Sequence, residues 1–317
     1  MRKLLLPFSS LYWAGLQIWY LYDRFRKKVR FDAFTIVVGN LTVGGTGKSP
    51  FVYYLARELE KEFRIVVITR GYGRKSKKVV ILEDPKTLPD VEETGDEPLM
   101  NFMKLGGRVP FVICRDRIEA YRVAKKRFSP DVVVLDDAFQ YRKILPDFSF
   151  LVFDRKSFRA PGLLLPAGDY RESLGAAKRA DAYVFNLKTG GSRFEVKGML
   201  PQKPMLFMRY RLKEVTGKPD SREIVAFAGI GDPQSFLDLL EEEGFEVVRF
   251  KKFPDHYWYT DRDLDELRKY GLPIVTTEKD FVRIRNRDGI HAAVIEPEVV
   301  DKYGILEELK DRIRGSI

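Results

Sequence analysis

The sequence has very little cysteine or histidine: one cysteine, Cys114, and two histidines, His256 and His291. A single cysteine excludes an internal disulfide framework and indicates a reducing compartment. Two histidines with one cysteine are too few for the His/Cys cages that hold structural zinc. The sequence also lacks low-complexity tracts and internal repeats, and its 44% hydrophobic and 32% charged residues exclude wholesale disorder.

What the chain does have is length and positive charge. Its 317 residues exceed the roughly 250–300 at which a single hydrophobic core stops growing, which predicts two domains. The 56 Lys and Arg residues outnumber the 46 Asp and Glu residues, so the net charge is +10. That excess fits three kinds of partner, namely nucleic acid, an anionic membrane surface or phosphorylated substrates.

An uncharged segment of 19 residues, from position 4 to 22, indicates a membrane contact, and a basic cluster over 24–30 follows it. Its length alone allows a spanning helix. However, it contains Pro7 and Gly15 and is crowded with Tyr and Trp, whose rings prefer the headgroup level. No small-x-small cleavage site follows, which disfavours a signal peptide. We predict a helix in the membrane interface with its cations on anionic lipid; a helix packed on its own domain is the second alternative and a spanning helix the third.

Short β-branched or aromatic runs alternate with helix-length amphipathic segments along the rest of the chain. A charged stretch with Pro and Gly, over 203–220, separates an earlier series from a later one. The pattern predicts a doubly wound, mostly parallel α/β sheet with a second, smaller α/β domain. We expect an interfacial helix over 1–30, a core domain over 31–205 and a small domain over 206–317, whose last helix can pack back on the core. The predicted strands are 35–38, 65–69, 111–114, 132–135, 150–153, 183–186, 224–228, 246–250, 274–277 and 292–295.

A glycine-rich loop carries the strongest functional signal. It reads GNLTVGGTGKSP over 39–50, after a predicted strand and before a predicted helix. The pattern G-x-x-x-x-G-K-[ST] fails only at its first glycine, which is Thr42 here. In such a P-loop, backbone N–H groups surround a polyphosphate, Lys48 reaches the β- and γ-phosphates, and the Ser49 hydroxyl ligates Mg²⁺. The predicted nucleotide-binding residues are Thr42, Val43, Gly44, Gly45, Thr46, Gly47, Lys48 and Ser49.

A buried strand that ends in two carboxylates is the expected partner of this loop. The apolar run 132–135 is followed by Asp136 and Asp137, and P-loop enzymes make a second Mg²⁺ contact at that position. The predicted metal ligands are therefore Ser49, Asp136 and Asp137. The Asn-Lys-x-Asp segment that selects guanine does not occur in the sequence, so we predict ATP as the nucleotide.

Charged loops follow the predicted strands at the carboxyl edge, where α/β sheets bind ligands. These loops contain Arg70, Tyr72, Asp96, Arg115, Arg171 and Glu172. Together they indicate an anionic or sugar-like acceptor, whereas each loop singly is equally consistent with a solvated turn. His256 lies in a further loop, and a lone histidine is more often structural than functional.

In their order along the chain, these motifs resemble the tetraacyldisaccharide 4′-kinase family, the lipid A pathway kinases of Gram-negative bacteria. The resemblance runs from residue 1 to about 280 and accounts for Thr42, because the family also lacks the first P-loop glycine. Ser49 replaces the more usual threonine, and Tyr257 stands where a second histidine is common. The matching segments are 39–50, 70–73, 95–98, 136–140, 165–168, 171–172, 227–231, 253–256 and 276–280.

The resemblance implies transfer of the ATP γ-phosphoryl group to the 4′-hydroxyl of tetraacyldisaccharide 1-phosphate, which gives lipid IVA. It implies Asp96 as the base for the hydroxyl, with His256 assisting and Lys48 holding the phosphates. Since Asp96 and His256 fall in different predicted domains, we expect them to meet when the domains close. The implied substrate-binding residues are Arg70, Tyr72, Arg115, Gln140, Arg171 and Glu172.

The acyl chains of that acceptor imply a peripheral or monotopic enzyme on the cytoplasmic face of the inner membrane. The expected partners are the lipid substrate and an anionic membrane surface, without nucleic acid or an obligate protein partner. The alternative function is a membrane-associated P-loop ATPase that couples hydrolysis to partner assembly. Such an ATPase would share Lys48, Ser49 and Asp136 but would not need Asp96 or His256.

Overall fold

The computed structural model of the chain describes residues 2–158, 162–188 and 198–317, and twelve strands within these ranges form one sheet. They are β1 (Phe34–Gly39), β2 (Ile65–Thr69), β3 (Val80–Leu82), β4 (Phe111–Ile113), β5 (Val132–Asp136), β6 (Phe148–Asp154), β7 (Ala182–Lys188), β8 (Met205–Val215), β9 (Glu223–Ala228), β10 (Glu246–Lys252), β11 (Ile274–Thr277) and β12 (Ile290–Val300). The order is β10-β9-β11-β12-β8-β7-β6-β1-β5-β2-β4-β3. Only the β3–β4 and β8–β12 pairs are antiparallel, so the predicted mostly parallel α/β sheet is confirmed.

Helices cover both faces of the sheet and complete its core. They are α1 (Leu6–Phe25), α2 (Lys48–Leu59), α3 (Val91–Thr94), α4 (Asp96–Lys104), α5 (Arg117–Phe128), α6 (Pro233–Glu242), α7 (Asp261–Arg268), α8 (Glu278–Phe281) and α9 (Ile305–Arg314). The central strands are buried throughout because their β-branched and aromatic side chains face helices on both sides. One large cluster includes Phe51 of α2, Phe102 of α4 and Leu309 of α9, so the last helix packs on the core.

The charged stretch that interrupts the sequence pattern contains strand β8. This strand pairs parallel with β7 and antiparallel with β12, so it joins the two series of strands into one sheet. Leu206 and Met208 are buried, whereas alternate positions carry exposed charges. Arg209, for example, binds Glu298 of β12 at 2.7 Å. The period of two was present in the sequence, but its charged half made the segment resemble a linker.

Helix α1 has one face on the protein and one face in solvent. Tyr12 donates to the Arg171 carbonyl at 3.0 Å, and the Ser9 hydroxyl binds the segment 164–167. The opposite side carries exposed apolar side chains, which include Phe8, Leu11, Ile18, Tyr22 and Phe25. In the described part of the chain, no helix combines the length and the hydropathy needed to cross a bilayer.

Candidate active site

The loop between β1 and α2 has a backbone that suits a phosphate. Gly47 closes it at φ 99°, and a Cβ atom there would lie 2.3 Å from the Asn186 amide nitrogen, so this position requires glycine. Asn186 donates to the Thr46 carbonyl at 3.0 Å and to the Tyr210 hydroxyl at 2.7 Å. Strands β7 and β8 thus support the loop just before a helix N-terminus, where unpaired N–H groups attract anions.

The predicted nucleotide-binding residues occupy this loop and the first turn of α2. Thr42 pairs with Tyr170, and the Val43 N–H binds the Asp169 carbonyl at 2.8 Å. The segment after β6 therefore braces the first half of the loop. The next positions differ in exposure: Val43, Gly44 and Gly45 are exposed, Thr46 and Ser49 are buried, and Gly47 and Lys48 are half-buried.

Asp137 lies between two cations at the centre of the site. The Lys48 Nζ atom is 3.7 Å from Asp137 Oδ1, and the Arg171 guanidinium donates to both carboxylate oxygens, at 3.2 and 3.0 Å. Burial raises the pKa of Asp137, but Lys48 and Arg171 outweigh burial and lower that pKa below its ordinary value. Asp137 also has φ 45°, an uncommon conformation that clusters at functional sites.

The pKa of the neighbouring carboxylate, Asp136, is shifted in the opposite direction. Burial, followed by the charges of Asp137 and Glu97, raises the pKa of Asp136 to about 6. The Thr69 hydroxyl donates to Asp136 Oδ2 at 3.0 Å. A buried carboxylate without full compensation favours a bound cation, because the cation stabilises its charged form.

Ser49, Asp136 and Asp137, the predicted metal ligands, supply a hydroxyl and two carboxylates, which are donors of the kind that Mg²⁺ accepts. Asn101 of α4 donates to Ser49 Oγ at 3.1 Å, which orients the serine hydroxyl. Within the described ranges, no group of three His, Cys, Asp or Glu side chains is arranged to hold a metal by itself. Mg²⁺ commonly takes one or two carboxylates together with phosphate oxygens, and that is the donor set offered here.

Asp96 and His256 are in contact, although they belong to different predicted domains. Asp96 is the first residue of α4 and is buried. His256 Nδ1 lies 2.9 Å from Asp96 Oδ2, while Asp96 Oδ1 accepts the Glu97 N–H at 2.8 Å. His256 has φ 60°, and its side chain remains 32% exposed. The pair is therefore preformed, with Asp96 buried and His256 partly exposed.

Two more cations contact Asp96, and neither is among the site residues predicted from the sequence. Lys279 Nζ lies 3.9 Å from Asp96 Oδ2 and 3.1 Å from Glu97, and Arg283 donates to the same Asp96 oxygen. Burial raises the pKa of Asp96, but the hydrogen bond from His256 and the charges of Lys279 and Arg283 lower it well below its usual range. Lys279 lies inside the matching segment 276–280, whereas Arg283 lies outside every motif, so only Lys279 had a sequence signal.

Arg70, Tyr72 and Arg115 lie at the exposed rim of the site. Arg70 follows β2 and Arg115 follows β4, and these strands are neighbours in the sheet. The Tyr72 ring is 74% exposed, and its centroid is 5.6 Å from that of His256. This rim therefore presents two exposed guanidinium groups, and its aromatic ring lies beside His256.

The Gln140 and Glu172 side chains form hydrogen bonds with other residues of the chain near the site. Gln140 donates to the Asn40 carbonyl at 2.9 Å. Glu172 is buried and accepts from the Tyr20 hydroxyl at 2.5 Å and from Arg179 at 2.7 and 2.8 Å. The structure therefore places Glu172 between α1 and the core, next to Arg171, which contacts the P-loop.

Arg117 is a further buried cation that the sequence analysis did not select. It donates to the Arg115 carbonyl at 3.0 Å and lies 3.5 Å from the carbonyl oxygens of Asp136 and Asp137. Its burial lowers its pKa, although both aspartates oppose that shift. Arg117 is the first residue of a helix rich in charged residues. The sequence therefore does not distinguish this buried arginine from the solvent-exposed arginines of the same helix.

Comparison with known proteins finds one family across nearly the whole chain. The profile of the LpxK family, described as tetraacyldisaccharide-1-P 4′-kinase, matches residues 1–314. A tetraacyldisaccharide 4′-kinase of Aquifex aeolicus is 36% identical over 304 residues, which cover 92% of this chain and 93% of that protein. The enzyme of the same name from Shewanella sediminis is 38% identical over 293 residues, which cover 90% and 83% respectively.

A solved structure resembles this fold over its full length. It is the crystal structure of LpxK from Aquifex aeolicus, described as an apo form in complex with ATP. The two folds have a TM-score of 0.82 with 34% sequence identity, and the match covers 98% of this chain and 99% of that one.

Proposed function

The chain belongs to the tetraacyldisaccharide-1-P 4′-kinase family, and we propose that it transfers the γ-phosphoryl group of ATP to the 4′-hydroxyl of tetraacyldisaccharide 1-phosphate. The product is lipid IVA, an intermediate of lipid A biosynthesis. The observation that carries this proposal is the contact between Asp96 and His256 beside the phosphate loop. Helix α4 connects this pair with the phosphate loop, because Asp96 is the first residue of the helix and Asn101, later in it, donates to the Ser49 hydroxyl.

On the nucleotide side, the P-loop N–H groups and Lys48 hold the phosphates in line for transfer. Ser49, Asp136 and Asp137 would hold Mg²⁺, which would offset the negative charge of the phosphate oxygens. Lys48 leaves its 3.7 Å contact with Asp137 for the phosphates, while Arg171 keeps Asp137 oriented. These groups neutralise charge that grows on the β–γ bridging oxygen as its bond to the γ-phosphorus breaks.

On the acceptor side, Asp96 accepts the proton of the 4′-hydroxyl as the oxygen bonds to the γ-phosphorus and ADP leaves. Its low pKa makes Asp96 a weak base, which suits a loose transition state in which the proton moves late. His256 contacts the other carboxylate oxygen of Asp96, Oδ2, and so helps to hold the carboxylate in place. Orientation of the hydroxyl therefore contributes more than base strength.

The rim residues bind the polar part of the acceptor. Arg70 and Arg115 carry guanidinium groups that bind phosphate in a fork, and either can take the 1-phosphate. Tyr72 lies beside His256 and packs against the sugar that carries the 4′-hydroxyl. Arg171, Gln140 and Glu172 shape the floor between the P-loop and α1.

The alternative function, an ATPase that drives partner assembly, assigns no role to the Asp96–His256 pair. The deciding experiment incubates the purified chain with γ-labelled ATP, Mg²⁺ and the lipid disaccharide in detergent micelles. Label is expected on lipid, at a rate that depends on the acceptor, and without any added protein or nucleic acid. Label that accumulates only as free phosphate at the same rate without lipid would favour the ATPase.

We further propose that α1 docks on an anionic membrane surface, at the cytoplasmic face of the inner membrane. Its exposed residues Phe8, Leu11, Ile18, Tyr22 and Phe25 recur at spacings of three, four and seven, so they lie along one side of the helix. Monomeric soluble proteins rarely expose such a continuous apolar patch. Arg24 and Lys27 are exposed at the end of the same helix, where cations contact anionic headgroups.

Replacing Leu11 and Ile18 by glutamate is expected to weaken binding to vesicles that contain anionic lipid by about 100-fold or more. Both side chains are 71% exposed, and burying each in the interface contributes about 1.5–3 kcal/mol. The measurement is co-sedimentation with vesicles across lipid concentrations. Point variants are preferable to a deletion of 1–24, because Tyr12, Tyr20 and Asp23 anchor α1 to the core.

Tyr303→Glu is the matched control for this experiment. Tyr303 is 63% exposed but lies far along the chain, before α9, and its variant should sediment like the unmodified protein. Equal partitioning of the Leu11→Glu/Ile18→Glu protein and the control would place the membrane contact elsewhere.

The division into 1–30, 31–205 and 206–317 stays a proposal, with α1, the P-loop core and the smaller α/β unit as its parts. It is supported by separate apolar clusters beneath the later strands, around Ala226 and Phe227. Product release then requires the contact between Asp96 and His256 to loosen, because this contact joins the two larger units across the acceptor site.

A further inference from the structure

We propose that Arg283 is a positioning residue for phosphoryl transfer: it holds the Asp96 carboxylate so that Oδ1 faces the acceptor hydroxyl. The proposal rests on the proposed role of Asp96 as proton acceptor. Arg283 follows α8 in the smaller unit, whereas Asp96 begins α4 in the core. The residue therefore acts through Asp96 and from the other side of the site.

The contacts on Asp96 are distributed unequally between its two oxygens. Oδ2 accepts a hydrogen bond from the Arg283 guanidinium. The same oxygen lies 2.9 Å from His256 Nδ1 and 3.9 Å from Lys279 Nζ. Oδ1 accepts the neighbouring Glu97 N–H at 2.8 Å, which leaves a second lone pair for another donor. Anchoring one oxygen with cations thus orients the other oxygen toward a hydroxyl.

A buried network fixes the guanidinium itself. Arg283 Nη1 donates to the Gly229 carbonyl at 3.2 Å and to Asp280 Oδ1 at 3.2 Å. Asp280 is fully buried and also accepts from the Tyr259 and Thr277 hydroxyls, at 2.7 Å each. A buried ion pair whose hydrogen bonds are satisfied is rigid, because no solvent competes for its groups.

Arg283 differs from the other charged groups around Asp96. His256 and Lys279 are partly exposed, and Lys279 is shared with Glu97 at 3.1 Å and Asp255 at 3.4 Å. Asp255 Oδ1 also lies 3.8 Å from His256 Nε2. The Arg283 side chain is only 2% exposed. Arg283 is therefore the cation on Asp96 that is most shielded from water.

The test compares Arg283→Gln with Arg283→Lys in lipid phosphorylation between pH 5.5 and 9. Without the guanidinium, burial is opposed less strongly and the pKa of Asp96 rises, although His256 and Lys279 still lower it. Arg283→Gln should lower kcat by about tenfold or more, because the carboxylate is no longer held in position, and the loss should be largest at the lowest pH. Arg283→Lys keeps the charge and should keep the pH profile of the unmodified enzyme, while the KM for ATP stays unchanged in both.

Asp96→Asn provides the background that separates positioning from a direct role. If Arg283 acts only through Asp96, then Arg283→Gln should lower the residual kcat of Asp96→Asn by less than about threefold. This double variant also removes the charge that Arg283→Gln would leave buried, so it remains informative if the single variant does not fold. Lys310→Gln, which removes a cation that binds Glu62 outside the site, is the matched control and should match the unmodified enzyme.

The outcomes separate the two proposals. A loss of turnover that disappears in the Asp96→Asn background supports positioning by Arg283, whether or not the loss depends on pH. A further tenfold loss in that background, or unchanged kinetics of Arg283→Gln itself, would overturn it. If the unmodified enzyme places no label on lipid, the proposed function fails, whatever the variants do.

Discussion

Asp96→Asn is expected to lower kcat for lipid phosphorylation by about 10²–10⁴-fold, the range over which a positioned acid or base contributes. The amide cannot accept the proton of the 4′-hydroxyl. It also weakens the contact with His256 and leaves Lys279 and Arg283 with less compensating charge. Because Asp96 binds none of the P-loop residues, the affinity for ATP should change by less than about threefold.

Single-turnover phosphorylation and direct ATP titration measure these two quantities separately. Thermal unfolding monitors the fold, since breaking a buried ion pair costs about 3–5 kcal/mol. Asp301→Asn is the matched control, because Asp301 also accepts N–H groups at the start of a helix, from Ile305 at 3.0 Å. A turnover close to that of the unmodified enzyme would remove Asp96 from the role of base.

The sheet and the phosphate loop could be predicted from sequence because their signals are local. A strand such as β1 is a short run of mostly apolar residues. The loop after it is recognised from adjacent residues, Gly47 and Lys48. Strand β8 was hidden because its local period of two is carried partly by charged residues, whose partners are distant in sequence. Its alternate charges are compensated by Glu296 and Glu298, which come more than 80 residues later.

The site was predictable only where its residues lie in recognisable motifs. Asp96 and His256 each lie in such a motif, and the structure brings the two together. Arg283 lies in none, because its place depends on Asp280 and Gly229, which reach it only through the packing of the smaller unit. Asn101 is similar: its amide binds Ser49 across 52 positions of sequence. Contacts of this kind depend on tertiary structure rather than on spacing.

Lys48→Met is expected to lower kcat by about 10²–10³-fold, as the loss of one charge-stabilising donor in a transition state does. Lys48 begins α2, and its ammonium lies 3.7 Å from Asp137. Its charge balances the phosphoryl group in the ground state as well as in the transition state. Unlike Asp96→Asn, this variant should therefore also weaken ATP binding, by about tenfold.

The two variants thus separate the two sides of the site by their effects on ATP. Titration with ATP in the absence of lipid should show the weaker binding for Lys48→Met alone, while both variants lose turnover. Lys61→Met is the matched control, because Lys61 lies just beyond the other end of α2, is largely exposed and forms an ion pair with Glu58 at 2.5 Å. Equal ATP affinity and turnover in Lys48→Met and this control would mean that the glycine loop does not bind the phosphates. With the expected result, nucleotide binding belongs to the P-loop, and proton acceptance belongs to the carboxylate that the smaller unit holds in place.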